Sequence, residues 1–145
     1  MTLFASIDAI APSPEEVAAL SAARDLIARH GAEGEHHVAA AALTEGGAVH
    51  LGLNLESVLP AACICAEPGA LSRAEIDAPG APVTFVVAVN RRGEVLPPCG
   101  VCRELLTDHA SAARIGLPGP DGGMEVAPLA ALLPRPYKAR LRGGA

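Results

Sequence analysis

The spacing of apolar residues predicts a helix followed by a β-hairpin in the first third of the chain. Apolar residues recur every three to four positions from Val17 to Ile27, which predicts a helix over 14–30. Ser13 can cap this helix and a glycine at position 31 can end it. Two short apolar runs, 38–43 and 48–53, flank a Gly-Gly pair and predict two paired strands.

The apolar run 83–89 is continuous and rich in β-branched residues, so it predicts a strand buried on both faces. The other predicted elements are a helix from Pro60 toward Ile76, a helix over 99–108, strands over 113–117 and 124–127, and a short helix over 128–133. This order of elements predicts an α/β fold with helices over a mixed sheet. We expect a single domain over 1–145, with its core at about 14–137 and a flexible basic tail at 138–145.

Composition narrows the class of protein. Half of the 145 residues are hydrophobic, yet there are only two Phe, one Tyr and no Trp, so the core must be aliphatic. A net charge of −5 argues against binding to nucleic acid or anionic membranes, which requires basic patches. No apolar run approaches the roughly 18 residues of a membrane span, and no signal-peptide pattern is present at 1–5. We therefore expect a cytoplasmic protein with reduced thiols.

The four cysteines form two close pairs, Cys63/Cys65 and Cys99/Cys102. The second pair is a CxxC motif, which alone fits a redox pair, part of a zinc site or two buried thiols. On a helix after Pro60, Cys63 and Cys65 would point roughly 200° apart, so both cannot easily bind one metal ion. Three cysteines with an open position are typical of catalytic zinc. Cys65 is preferred as the ligand because Glu67 follows it closely, and Cys63 is expected to be a small core residue.

Several segments together resemble a known family. The segment CAE at 65–67, followed by PCGVC at 98–102, resembles the signature of zinc-dependent nucleoside deaminases. GLNLE at 52–56 is similar to the G-C-N-[IV]-E segment of the short, three-cysteine cytidine deaminases, and LLP at 132–134 with Tyr137 is similar to their C-terminal L-L-P-x-x-F. The resemblance extends from about residue 14 to about residue 137.

The resemblance implies a three-layer α/β/α domain that deaminates a cytosine nucleoside by hydrolysis. One Zn²⁺ per chain would be held by Cys65, Cys99 and Cys102, and Glu67 would transfer protons. The residues implied in substrate binding are Asn54, Glu56, Ala66, His36 and Tyr137. The family also implies a homotetramer in which neighbouring chains complete each pocket.

The chain departs from the family pattern at several positions. The family's Tyr-Ser-x-Phe segment aligns with EGEH at 33–36, so its tyrosine is absent here. His36 stands where the family has a phenylalanine that stacks on the base, and Pro68 stands where it has an arginine that offsets the charge of three thiolates. Arg103 or the helix N-termini could replace that arginine. The alternatives are a deaminase of a modified or antibiotic nucleoside, similar to blasticidin S deaminase, an inactive deaminase-like binding protein, or a CxxC redox protein. The remaining histidines, expected on the surface or in the core, are His30, His37, His50 and His109.

Overall fold

The computed structural model describes residues 7–137 and contains four helices and six strands in this range. The helices are α1 (Pro14–His30), α2 (Ala66–Asp77), α3 (Gly100–His109) and α4 (Leu129–Leu132). The strands are β1 (Val38–Thr44), β2 (Val49–Leu53), β3 (Val83–Asn90), β4 (Val95–Leu96), β5 (Arg114–Pro118) and β6 (Met124–Pro128). The expected basic tail at 138–145 lies outside the described residues, and the single domain over 1–145 stays a prediction.

The strands form one mixed sheet in the order β2-β1-β3-β5-β6, with the short β4 paired to β3. β3 and β5 run parallel, and every other pair is antiparallel. Side chains alternate across β1, so Ala40 and Ala42 pack in one core cluster with α2, α3 and α4, whereas Ala39 and Ala41 pack in the other with α1. The three-layer α/β/α arrangement is therefore confirmed.

Helix α1 begins as its sequence predicts and is tied to the sheet. Ser13 and Glu16 form a capping box in which Glu16 Oε2 accepts a hydrogen bond from the Ser13 N–H at 2.7 Å. Glu16 Oε1 also accepts a hydrogen bond from Arg114 Nε at 2.8 Å, although α1 and β5 are distant in sequence. The buried Glu16 carboxylate therefore both caps α1 and holds it against the sheet.

The predicted start of the second helix at Pro60 is wrong. Pro60–Ala62 form a single 3₁₀ turn, the chain is then extended, and α2 begins only at Ala66. Ile64 and Leu55 exchange both backbone hydrogen bonds, at 2.8 and 2.9 Å, and form an isolated antiparallel bridge. This long-range pairing satisfies the backbone of Ile64 and keeps it out of the helix. Cys63 and Cys65 are thus not on the first turns of a helix.

Helix α2 packs against β2 through two facing glycines. A Cβ atom on Gly52 would clash with the backbone atoms Ala70 N and Ala66 O, and would lie 2.7 Å from Gly69 C. A Cβ atom on Gly69 would instead lie 3.4 Å from Gly52 Cα, an ordinary contact. Only a glycine at position 52 therefore allows the first turns of α2 to approach the sheet this closely.

The Gly52→Ala substitution is expected to lower the free energy of unfolding by about 3 kcal/mol, because backbone atoms of α2 cannot move aside as a flexible side chain can. Urea denaturation monitored by circular dichroism measures this change. Gly69→Ala is the matched control on the facing element, and it is expected to be neutral or stabilising because alanine favours a helix. Equal losses for the two variants would contradict the argument.

No helix among residues 7–137 is long and apolar enough to cross a membrane.

Candidate metal centre and its cavity

Two extended segments bring four polar side chains to one side of a short ribbon. The ribbon consists of residues 54–56 and 63–65, paired at Leu55 and Ile64. Side chains alternate along extended chains, so the residues on either side of each paired residue share the opposite face. These four residues, Asn54, Glu56, Cys63 and Cys65, all line one cavity. The cysteine expected in the core, Cys63, is in fact exposed at this cavity, because the bridge turns it away from the core.

Three of the cysteines form a cluster suited to a metal ion. The Sγ atoms of Cys65, Cys99 and Cys102 all lie within 4.8 Å of one another, and those of Cys65 and Cys99 are 3.7 Å apart. Thiolates bound tetrahedrally to zinc at about 2.3 Å have sulfur atoms about 3.8 Å apart. The 3.7 Å separation of Cys65 and Cys99 matches this value, and the 4.8 Å limit for all three sulfur atoms is compatible with one shared zinc ion. The cluster brings together the three cysteines that the sequence predicted and leaves out Cys63.

The two partly exposed cysteines of the cluster cap helices. Cys65 is the N-cap residue of α2, and Cys99 is the N-cap residue of α3, where its Sγ accepts a hydrogen bond from the Cys102 N–H at 3.4 Å. The positive ends of both helix dipoles thus point toward the sulfur atoms. Arg103 does not contact the cluster, because its Nε donates to the Pro98 carbonyl and its Nη1 to the Leu132 carbonyl. Of the two suggested replacements for the missing arginine, only the helix N-termini lie at the thiols.

The surroundings give the three thiols different acidities. Burial raises the pKa of Cys102 well above its ordinary value, and the charge of Glu67 adds to this effect. Burial also raises the pKa of Cys65, and its hydrogen bond with Cys99 adds to the increase. At Cys99 burial acts in the same direction, but hydrogen bonds led by that of the Cys102 N–H outweigh it and lower the pKa. Cys99 is therefore the most readily ionised thiol of the cluster.

Glu67 lies beside the cluster in the first turn of α2 and lines the cavity. Its side chain is 5% exposed, and it makes no hydrogen bond to another residue in the described range 7–137. No fully buried side-chain oxygen of the described residues lacks a hydrogen-bond partner, so the Glu67 carboxylate oxygens are accessible from the cavity. Its position and its lack of a partner leave it available to a ligand in the cavity.

Asn54 is fixed by five hydrogen bonds, one of them from its backbone N–H to the Val38 carbonyl at 3.0 Å. Its Oδ1 accepts from the N–H groups of His37 and Val38 at 2.6 and 2.8 Å, and its Nδ2 donates to Glu56 Oε1 at 2.8 Å. The backbone carbonyl of Asn54 is 2.8 Å from His36 Nδ1. His36 itself does not line the cavity, whereas His37, which the sequence interpretation set aside, does. No local pattern in the sequence could have indicated His37, because its position depends on the hydrogen bond from its N–H to Asn54 Oδ1.

The cavity has a volume of about 260 Å³. Its lining residues are His37, Val38, Asn54, Glu56, Cys63, Ile64, Cys65, Ala66, Glu67, Ala88, Leu96, Pro97 and Cys99. Tyr137 is exposed and is not part of this lining, so its role in substrate binding stays a prediction. A larger cavity of about 710 Å³ lies beside α2 and α3, but the cysteine cluster and Glu67 are not in it. The chemistry therefore identifies the smaller cavity as the candidate site.

Comparison with known sequences gives two groups of relatives. The chain is 32% identical over 85 residues to blasticidin-S deaminase from Bacillus cereus, covering 54% of this chain and 61% of that protein. It is 35% identical over 75 residues to cytidine deaminase from Mycobacterium tuberculosis, covering 52% of this chain and 56% of that protein. The chain thus spans less than two thirds of the length of the curated relatives that it matches. No protein-family model matches it.

Solved structures match over most of their length. Cytidine deaminase from Mycobacterium leprae superposes with a TM-score of 0.69 at 29% identity, covering 82% of this chain and 97% of that one. Cytidine deaminase from Mycobacterium tuberculosis superposes with a TM-score of 0.66 at 28% identity, covering 81% and 96%. The chain therefore has the fold of the bacterial cytidine deaminases and is related in sequence to proteins named cytidine deaminase and blasticidin-S deaminase.

Proposed function

We propose that this chain is a zinc-dependent hydrolase that converts a cytosine nucleoside, cytidine or deoxycytidine, to the uracil nucleoside and ammonia. The observation that carries this proposal is that Glu67 and the cysteine cluster share one cavity. The similarity to cytidine deaminases supports it. The chemistry requires a nucleophilic water, a group that moves protons and a pocket for the nucleoside, and each has a candidate among the cavity residues.

Cys65, Cys99 and Cys102 would hold one zinc ion per chain. Their spacing and soft thiolate donors fit zinc, and the cavity beside them leaves a fourth position open. When bound, zinc makes water a competent nucleophile at neutral pH by acting as a Lewis acid. The dipoles of α2 and α3 would offset part of the charge of the three thiolates, as the arginine at the position of Pro68 does in the family.

Glu67 is proposed to move the protons of the reaction. Its carboxylate would accept a proton from the attacking water and deliver it to the ring nitrogen of the pyrimidine. It would then transfer the proton of the hydroxyl formed at C4 to the amino group, which leaves as ammonia. Glu67 is the second residue of α2, two positions after the capping Cys65, and it lines the cavity. Because the side chain makes no competing hydrogen bond within the described part of the chain, it can serve each of these partners in turn.

The remaining cavity residues are proposed to bind the nucleoside. Asn54 and Glu56 would contact the hydroxyl groups of the sugar, and the backbone at Ala66 would contact the edge of the base. His36 would act through its hydrogen bond to the Asn54 carbonyl, since its ring is outside the cavity lining. Tyr137 would reach the pocket of a neighbouring subunit.

A homotetramer is proposed as the working assembly. Large apolar side chains are exposed on the loop that follows Glu56, including Val58, which is fully exposed, and Leu59 at 69% exposure. Burial of these side chains against another subunit would remove apolar surface from water and close the cavity. Light scattering should give a mass of four chains.

A cytoplasmic location is also proposed, because the cytoplasm keeps thiols reduced and thus fits the proposed zinc ligands.

The test of the proposed function is a deamination panel on protein whose zinc content is measured on the same sample. The substrates are cytidine, deoxycytidine, cytosine and an aminoacyl-cytosine nucleoside, and the readout is ammonia release. Turnover of cytidine or deoxycytidine supports the proposal. Tight binding of a nucleoside without turnover of any substrate would instead indicate a deaminase-like binding protein.

A second candidate is deamination of a modified or antibiotic nucleoside. Two observations favour it, namely the similarity to blasticidin-S deaminase and the lack of an aromatic carbocyclic ring among the described residues that line the cavity. A substrate of this class would be turned over faster in the panel than cytidine. The aminoacyl-cytosine nucleoside decides between the two candidates.

A further inference from the structure

The exposed Cys63 makes a specific contact with Glu56. Its Sγ is 3.5 Å from Glu56 Oε2, within the range of an S–H donor, and the next nearest acceptor, the Ser57 carbonyl, is 3.7 Å away. The other oxygen of the same carboxylate, Oε1, accepts the hydrogen bond from Asn54 Nδ2 at 2.8 Å. Both oxygens of Glu56 are thus held by protein donors on the cavity side of the ribbon.

The backbone produces this contact. In an antiparallel pair, the residue after Leu55 lies opposite the residue before Ile64, and these two are Glu56 and Cys63. Their side chains lie on the same face of the ribbon, and their Cβ atoms are neighbours. A donor at position 63 therefore reaches the carboxylate without a bend in either segment. A residue at position 63 is therefore placed to control the orientation of Glu56, although it lies outside the metal cluster.

Glu56 retains the capacity to bind a ligand in this arrangement. An ionised carboxylate has about four acceptor positions, and each of its two oxygens uses only one here. Glu56 is exposed, so without the Cys63 thiol its Oε2 would lose this hydrogen bond and the carboxylate could rotate. Substrate binding would then have to order the Glu56 carboxylate, and this loss of conformational entropy would weaken the affinity.

We infer that Cys63 is a positioning residue that orients the Glu56 carboxylate toward a hydroxyl group of the sugar. This inference rests on the proposed function, because it assigns Glu56 to the sugar of a nucleoside. It extends that proposal to a residue outside the metal ligands and the catalytic glutamate. Cys63 sets the affinity for nucleosides that carry sugar hydroxyls and has no part in the chemical step.

The matched pair Cys63→Val and Cys63→Thr tests this inference. The two side chains have the same shape, suit the extended backbone at this position and differ only in the hydroxyl donor. Cys63→Val is expected to raise the KM for cytidine about fivefold relative to Cys63→Thr, which is the effect of one modest hydrogen bond, with kcat equal within about twofold. With 2′,3′-dideoxycytidine, which lacks the 2′ and 3′ hydroxyls and keeps only the 5′ hydroxyl, the pair should show equal kcat/KM.

The outcomes separate the inference from the proposed function. Equal KM values of the pair for cytidine, or an equally large difference with the dideoxynucleoside, would overturn the role of Cys63. Loss of zinc from Cys63→Val alone would also overturn it, because Cys63 would then act through the metal site. If the wild-type protein deaminates neither nucleoside, the proposed function itself fails. Circular dichroism of both variants confirms that they are folded.

Discussion

Replacement of Glu67 with glutamine is expected to reduce kcat for a cytosine nucleoside by about 10³ to 10⁴, the upper part of the range for loss of general acid–base catalysis. Glutamine has nearly the same size and can still form hydrogen bonds, but it cannot accept and return a proton. The proposed reaction requires several proton transfers by this one group, so no partial mechanism remains. Ammonia release under saturating nucleoside measures the loss.

The matched control for this variant is Glu75→Gln on the same helix. Glu75 is exposed on α2 and lines the larger cavity away from the cysteine cluster, so its substitution should leave kcat within about twofold of the wild type. Glu67→Gln should keep its zinc and still bind the nucleoside. If it retained more than about a tenth of the wild-type kcat, Glu67 would not be the general acid–base.

The Glu67→Gln substitution also separates the effect of the carboxylate on catalysis from its effect on folding. Glu67 makes no hydrogen bond to another residue in the described chain, so removal of its charge breaks no contact that stabilises the fold. Removal of that charge should leave the urea midpoint unchanged or higher. An inactive variant of equal or greater stability would show that the carboxylate is retained for function. This is the expected trade-off at an active site.

The elements with strong local signals could be predicted from the sequence. The Ser13 cap, the Pro14 start and the apolar spacing define α1, and the Gly-Gly pair at 46–47 defines the hairpin because both glycines adopt positive φ angles, 102° and 89°. Elements set by distant partners could not be predicted. Residues 63–65 are extended because they pair with the segment at 54–56, and the two-residue strand β4 is too short to show a period.

The candidate site shows the same division. The motifs at 65–67 and 98–102 gave the three clustered cysteines and Glu67, because each motif lies at a helix start whose geometry is local. The sequence pattern predicts Cys63 in the core and His37 on the surface or in the core, yet both line the cavity. Their positions depend on the pairing of the ribbon and on the hydrogen bond from the His37 N–H to Asn54, which no local pattern encodes.

Replacement of Cys102 with serine is expected to remove zinc and, with it, the deaminase activity. The Cys102 thiol is 1% exposed and is one of the three proposed ligands, and a serine hydroxyl is a poor zinc ligand at neutral pH. Zinc content should fall from about one per chain to near zero after dialysis, as measured by elemental analysis. Because zinc binds the folded state, the wild-type protein should also melt at a lower temperature after treatment with a chelator, whereas Cys102→Ser should not respond.

The matched control is Cys63→Ser, which changes the nearest cysteine outside the cluster and should keep its zinc.

The expected zinc content of the wild-type protein would also decide against the redox alternative for the CxxC motif. A redox protein would contain no zinc, and mild oxidation would remove two titratable thiols by forming a disulfide between Cys99 and Cys102. A thiol bound to zinc is instead protected from such oxidation until the metal is removed. Wild-type protein that is free of zinc but readily forms this disulfide would contradict both the metal site and the hydrolytic mechanism built on it.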